Sequence, residues 1–169
     1  MKLFNFVFMA GFIFFMGIHS VYGQSAEAFL SAAFTGKLET INSYLENGGD
    51  VNVTDEKGCS ALFLATNLDS VEVIKILLDH GANINVQTHT TKQTPLINAA
   101  YVGNLEVVKL LVEKGADINI KDMAGETALD AAKINKNNDV VMFLMMQKTD
   151  DPKKKDRIKE RMKRRQRTK

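Results

Sequence analysis

Cysteine occurs once in 169 residues, proline twice and histidine three times. A single cysteine, Cys59, excludes an internal disulfide. It reads as a small residue in a turn; the other reading is an intermolecular link. A cysteine pair of the kind that holds zinc is missing. So are H-E-x-x-H, G-x-S-x-G and a glycine-rich phosphate loop. The chain therefore offers no catalytic residue, no metal set and no cofactor site, and no small-molecule substrate is expected. Only His80 and His89 follow the N-terminal segment. Neither has a neighbour at metal-ligand spacing, and His80, just before Gly81, suits a helix C-terminus.

Long apolar runs are also scarce, with one exception. Lys2 is followed by "LFNFVFMAGFIFFMGI", sixteen nearly uninterrupted apolar residues. Val21 and Gly23 then sit like the −3 and −1 positions of a cleavage site. Residues 1–23 read as a secretory signal peptide, and cleavage is expected near Gly23–Gln24. A retained anchor is the alternative, although the run falls short of the ~20 residues that span a bilayer. The expected location is periplasmic or secreted, with a bacterial source favoured. No Cys ends the run, so a lipid-modified N-terminus is not expected.

Charge is divided along the chain. Residues 25–147 hold nine Lys and sixteen Asp or Glu, a net of −7. Residues 148–169 hold twelve Lys or Arg and four acids, a net of +8. Asp150-Asp151-Pro152 marks the boundary, because proline ends the helix before it.

The body repeats. Leu62, Leu96 and Leu129 are 34 and 33 residues apart. Gly48, Gly81 and Gly115 follow the same period, as do Asn52, Asn85 and Asn119. A period of this size means stacked supersecondary units. The best-formed unit is "TPLINAAYVGNLEVVKLLVEKGADIN", 94–119. Thr94 is a helix cap and Pro95 fits the first helical position. The spacing predicts a helix over Pro95–Val102, ending at Gly103. Asn104 caps a second helix whose expected apolar face is Leu105, Val108, Leu111 and Val112. Gly115 stands where a left-handed residue closes the helix. Asp117 and Asn119 are expected to bond nearby backbone. "NVT" at 52–54 matches a glycosylation acceptor, but Asn52 is better read as the period partner of Asn85 and Asn119. Predicted core residues are Leu62, Leu96, Leu129, Ala65, Ala99, Ala132, Leu77 and Leu111.

This pattern resembles the ankyrin repeat, with its 33-residue period and T-P-L-H-x-A signature. "SALFLATNLDSVEVIKILLDHGANIN", 60–85, matches with Ser60 for Thr and Ala61 for Pro. "TALDAAKINKNNDVVMFLMM", 127–146, matches well in its first helix. The first unit lacks the Thr-Pro-Leu start but keeps "AAFTGKLETINSYLENGGDVN". The resemblance implies an all-α solenoid: about four helix-turn-helix repeats joined by hairpin-like fingers. The repeats fall near 25–54, 55–87, 88–121 and 122–148, within a domain of 24–148, before a basic tail at 149–169. It also implies a job, binding another protein on the concave face formed by the fingers and the exposed ends of the first helices. The matching positions are Glu56, Lys57, Cys59, Asn67 and Leu68 in the second unit. In the third they are His89, Thr90, Lys92, Gln93, Tyr101 and Val102. In the fourth they are Met123, Ala124, Glu126, Ile134 and Asn135. Any one of these is ordinary surface; Tyr101, Val102, Leu68 and Ile134 together make an apolar strip, with Tyr101 the expected anchor. The finger of the third unit, "VQTHTTKQ", which stands between the other two, is one residue longer than its neighbours and lacks their glycine.

Two features belong to the C-terminal end. "VVMFLMM", 140–146, is apolar all round, and such a helix expects cover. Ile158 and Met162 are spaced for one stripe, so the tail is expected to fold back over Met142 and Met146; a partner or a second copy is the other possible cover. The tail's cations also suit an anionic membrane surface or another polyanion at 153–169. Single-stranded nucleic acid is disfavoured, because no aromatics are interleaved.

Overall fold

The computed structural model describes residues 25–68, 70–149 and 151–167, and the expected signal segment lies outside them. Among the described residues there are nine helices: α1 Ala26–Thr35, α2 Leu38–Glu46, α3 Ala61–Ala65, α4 Val71–Asp79, α5 Pro95–Val102, α6 Leu105–Glu113, α7 Ala128–Ile134, α8 Asn138–Gln147 and α9 Pro152–Gln166. The first eight form four antiparallel pairs, one per repeat. Short polar side chains precede all of them but α2, which follows Lys37. Thr94 Oγ1 accepts the Ile97 N–H at 3.2 Å, and Ser60 and Asn104 cap α3 and α6 in the same way. Gly103 (φ +93°) and Gly115 (φ +94°) end α5 and close the turn after α6 in the left-handed conformation expected of them.

The first helices α1, α3, α5 and α7 lie side by side in an inner row, and α4, α6 and α8 pack as an outer row. Ala65, Ala99 and Ala132 are fully buried, and a residue this small lets adjacent helices approach. Leu62, Leu96, Leu77 and Leu111 are buried as predicted. Leu129 is only partly buried. It occupies the register position of Leu62 and Leu96, but among the described residues no further first helix covers its side of α7. The face of α6 is also corrected. Val107, Val108, Leu110 and Leu111 are buried, while Leu105 and Val112 are at its margins. The helix lies between its own α5 and two flanking helices, which widens the buried arc.

The period asparagines do more than expected. Asn52 Oδ1 accepts the Asn83 N–H at 2.7 Å, and its amide donates to Gly81 O. Asn85 Oδ1 accepts the Asp117 N–H at 3.0 Å. Each side chain therefore ties its turn to the next repeat rather than to its own. For Asn119, no such turn follows the fourth helix pair among the described residues, and it bonds back to Asp117. At the first pair, the Phe29 and Tyr44 rings stack at 4.3 Å between centroids and 16° between planes.

The tail is a helix and it folds back. α9 packs on α8, Ile158 is 7% exposed, and Arg165 Nε lies 3.6 Å from Asp139 Oδ1. Met142, Met145 and Met146 are half-buried. Burying one Ile contributes about 1.5–3 kcal/mol, so α9 is a light cover compared with a full repeat.

Candidate protein-binding face

The face is built from finger turns and the C-terminal ends of the inner helices. In the first finger Thr54 and Ser60 form an antiparallel bridge. Asp55 Oδ1 accepts the N–H groups of Lys57 and Cys59 at 2.9 and 2.8 Å, and the Gly58 N–H donates to Asp55 O. The third finger copies this arrangement: Asp122 Oδ1 accepts from Ala124 and Glu126, both at 2.9 Å, and the Gly125 N–H donates to Asp122 O.

The middle finger reaches a similar shape with different residues. Thr88, one period after Asp55, is 3% exposed, and its Oγ1 accepts the Gln93 N–H at 3.1 Å. Lys92 takes the glycine's place, with φ +56°. Its carbonyl accepts from the Gln87 side chain at 2.7 Å. A left-handed lysine is strained by about 1–2 kcal/mol, so the missing glycine and the extra residue are one feature. The fingers are also bonded to each other. The His89 N–H donates to Lys57 O at 2.8 Å, and the Met123 N–H donates to Thr91 O at 2.9 Å.

The sequence-derived site residues divide into two groups. Glu56, Lys57, His89, Thr90, Lys92, Met123 and Ala124 are exposed on the fingers, with Gln93 and Glu126 half-exposed beside them. Cys59 is half-buried, and burial followed by the Asp55 carboxylate pushes its thiol above the ordinary range. It is a neutral turn residue, poorly suited to be a nucleophile. On the helix ends, Tyr101 is 51% exposed, Val102 45% and Ile134 57%. Two residues expected at the interface also have structural work. Leu68 is half-buried, and a methyl group at Gly36 would sit 3.5 Å from its Cδ1. Asn135 donates its amide to Tyr101 O at 2.9 Å. Asn67, although exposed, accepts from Asn98 and donates to Leu64 O.

Sequence reasoning missed one residue. Phe34 is 51% exposed and occupies the register position of Asn67, Tyr101 and Ile134. One 33-residue step back from Asn67 would have found it, but the first repeat lacks the Thr-Pro-Leu start from which positions were counted. With Phe34 included, three large apolar side chains share one position along the inner row. Phe34 also edges an open groove of ≈ 670 Å³ with Leu30 and Leu64 on its walls and Glu27, Glu56 and Lys57 around it. Tyr101 is held firmly, since Asn137 Nδ2 donates to Ala100 O at 3.0 Å and to Tyr101 O at 2.8 Å.

Among the described residues no group of three His, Cys, Asp or Glu gathers as a metal site. No helix there is long and apolar enough to cross a membrane. Tyr, Phe and Ile on a rigid inner row, beside polar fingers, suit recognition of a protein surface.

Known proteins agree with the architecture. The family model for ankyrin repeats (3 copies) matches residues 29–122 and again 93–156. Protein PhlB of Serratia liquefaciens is 35% identical over 106 residues, which are 62% of this chain and 47% of that protein. Human ankyrin repeat and SOCS box protein 16 is 36% identical over 101 residues, 60% of this chain and 22% of its own. The bovine ankyrin repeat, SAM and basic leucine zipper domain-containing protein 1 is 33% identical over 76 residues, 45% of this chain and 16% of that protein. The chain spans less than half the length of each of these relatives. With the period, the paired helices, the linked fingers and the family match all in agreement, this chain belongs to the ankyrin-repeat family.

Proposed function

We propose that the chain is an exported, non-enzymatic binding protein whose concave face takes another protein. Ankyrin repeats generally mediate protein–protein contacts. The observation that supports a specific face here is the column of Phe34, Tyr101 and Ile134, all about half exposed and all at one register position. Large apolar side chains left in water at equivalent positions of three repeats are an energetic cost that a partner's apolar surface would relieve. The exposed finger residues Lys57, His89, Thr90 and Lys92 would form its polar rim.

A photo-crosslinking residue placed at Tyr101 in the native host should capture the partner. Tyr101→Ala should then weaken binding more than about fivefold, as for an interface aromatic. Unchanged affinity in the Phe34, Tyr101, Ile134 triple alanine variant would move the site elsewhere. Export rests on the apolar run and the small residues after it. Mass spectrometry of the host's protein should find a mature N-terminus between Gln24 and Ala26, whereas intact Met1 in the membrane fraction would assign the anchor.

The basic tail is a separate surface. α9 lies on the outer row, on α8, while the apolar column lies on the inner row. A polyanion-binding tail and a protein-binding face are therefore compatible in one molecule.

A further inference from the structure

We propose that one flank of α9 is a docking strip for an anionic lipid surface. Four positions turn toward α8: Lys155, Ile158, Met162 and Arg165, spaced three, four and three apart. Lys155 and Met162 are half-buried, Ile158 is buried and Arg165 reaches Asp139. At 3.6 residues per turn, the crest opposite α8 carries Asp156 and Glu160. Along the flank between crest and seam run Lys153, Lys154, Arg157, Arg161 and Arg164. All five are exposed, and no acid interrupts them. Among the described residues, Arg164 alone of the five has an ion-pair partner, Glu160 at 3.6 Å, and both groups of that pair are well exposed. The strip is ~16 Å long.

The placement of charge selects the occupant. A duplex groove would receive the crest first, and the crest is where the carboxylates stand. A flat polyanion laid along the side meets five cations, with Glu160 at the margin beside Arg164. No large apolar side chain is exposed on α9, so the helix would rest on headgroups rather than insert. The three arginines can each hold a phosphate through two N–H groups.

The test uses the full chain and vesicles of phosphatidylcholine with and without about one third phosphatidylserine. Neutral vesicles give the baseline contributed by the N-terminal apolar run, and the anionic increment is the readout. The increment should collapse as salt rises from about 0.05 M to about 0.5 M. Neutralising Lys153, Arg157 and Arg161 to Gln should cut it roughly 100-fold, at about one kcal/mol per cation near the surface. Neutralising Lys159, Lys163 and Arg167 removes as much charge from the other side and should cut it less than about fivefold. Circular dichroism checks that both variants keep the helix. Equal losses in the two variants would show that net charge alone acts and would overturn the strip. An absent anionic increment, or tighter binding to a short DNA duplex at equal phosphate, would overturn the lipid assignment.

Discussion

Replacing either left-handed lysine with glycine should stabilise the protein, although glycine in an exposed segment usually does the reverse. Lys92 and Lys136 have φ +56° and +59°. Lys136 closes the turn between α7 and α8, where Gly103 stands one repeat earlier. For an L-residue this conformation costs about 1–2 kcal/mol. Glycine adopts it freely but loses about 0.5–1 kcal/mol more chain entropy on folding. The difference favours glycine by about 0.5–1 kcal/mol at each site. Neither lysine side chain holds an ion pair with a described residue, and the bond from Gln87 to the Lys92 carbonyl is indifferent to the side chain. The sites share no partner, so the double variant should gain about 1–2 kcal/mol. Urea unfolding would read this as a higher midpoint at unchanged slope, and thermal unfolding as a rise of ~3–8 °C. Lys57→Gly is the control, because it sits in a neighbouring finger without a left-handed backbone and should lose about 0.5–1 kcal/mol. If Lys92→Gly destabilises as much as Lys57→Gly, the strain argument is wrong. If Lys92→Gly stabilises and also weakens partner binding, the strain is kept for recognition.

Leu96→Ala should cost about 2–5 kcal/mol in denaturant unfolding, as for a core leucine, and the half-covered Leu129→Ala should cost less than half as much. Gly103→Ala should destabilise by about 2–4 kcal/mol, from left-handed strain and lost hydrogen bonds: the new methyl carbon would lie 2.6 Å from Asn137 Cγ, displacing the amide that holds Tyr101. Asp130 accepts from the Thr127 hydroxyl and backbone N–H and pairs with Lys133, and the hydroxyl bond, the largest cause, helps hold its carboxyl at about 2. Its folded value is depressed, so its contribution is present above pH ~4 and fades as pH falls toward 2. The stability gap between wild type and Asp130→Asn should therefore close over that window, and a gap constant from pH 6 to pH 2 would refute the assignment. Deleting 153–169 should lower stability or promote self-association and expose amides 140–146 to hydrogen exchange; unchanged protection there would show that α9 does not cover α8.

What could be read in advance follows from range. Thr94, Pro95 and Gly115 act within one turn, so helix ends were legible. Met142 and Met146 announced the need for cover because a helix apolar on every side is not left bare in water; Ile158 and Met162 favoured the tail over a partner or a second copy, and α9 does pack on α8. The asparagine ties were not legible, since Asn52 meets Asn83 only after two repeats have stacked. Nor was the role of Lys92. Its sequence shows a missing glycine but not which residue adopts the left-handed backbone after an insertion. On the candidate face, Tyr101, Val102 and Ile134 came from the family resemblance, carried onto this chain position by position along the period. Phe34 was lost where the motif decays, and the half-burial of Leu68 was not legible because it depends on the turn at Gly36.

The bonds from His89 to Lys57 and from Met123 to Thr91 join the three fingers into one strap. Separate fingers would each have to come to rest when a partner arrives, and association would oppose that loss of motion. A strap is already at rest. Partner capture on this side should therefore show little entropy penalty from the backbone, and a weak partner could still be recognised with few contacts. The same linkage makes the strap fail as a unit: freeing one fingertip releases its neighbour, so damage at Gly58 or Thr88 should reach Met123 without touching it.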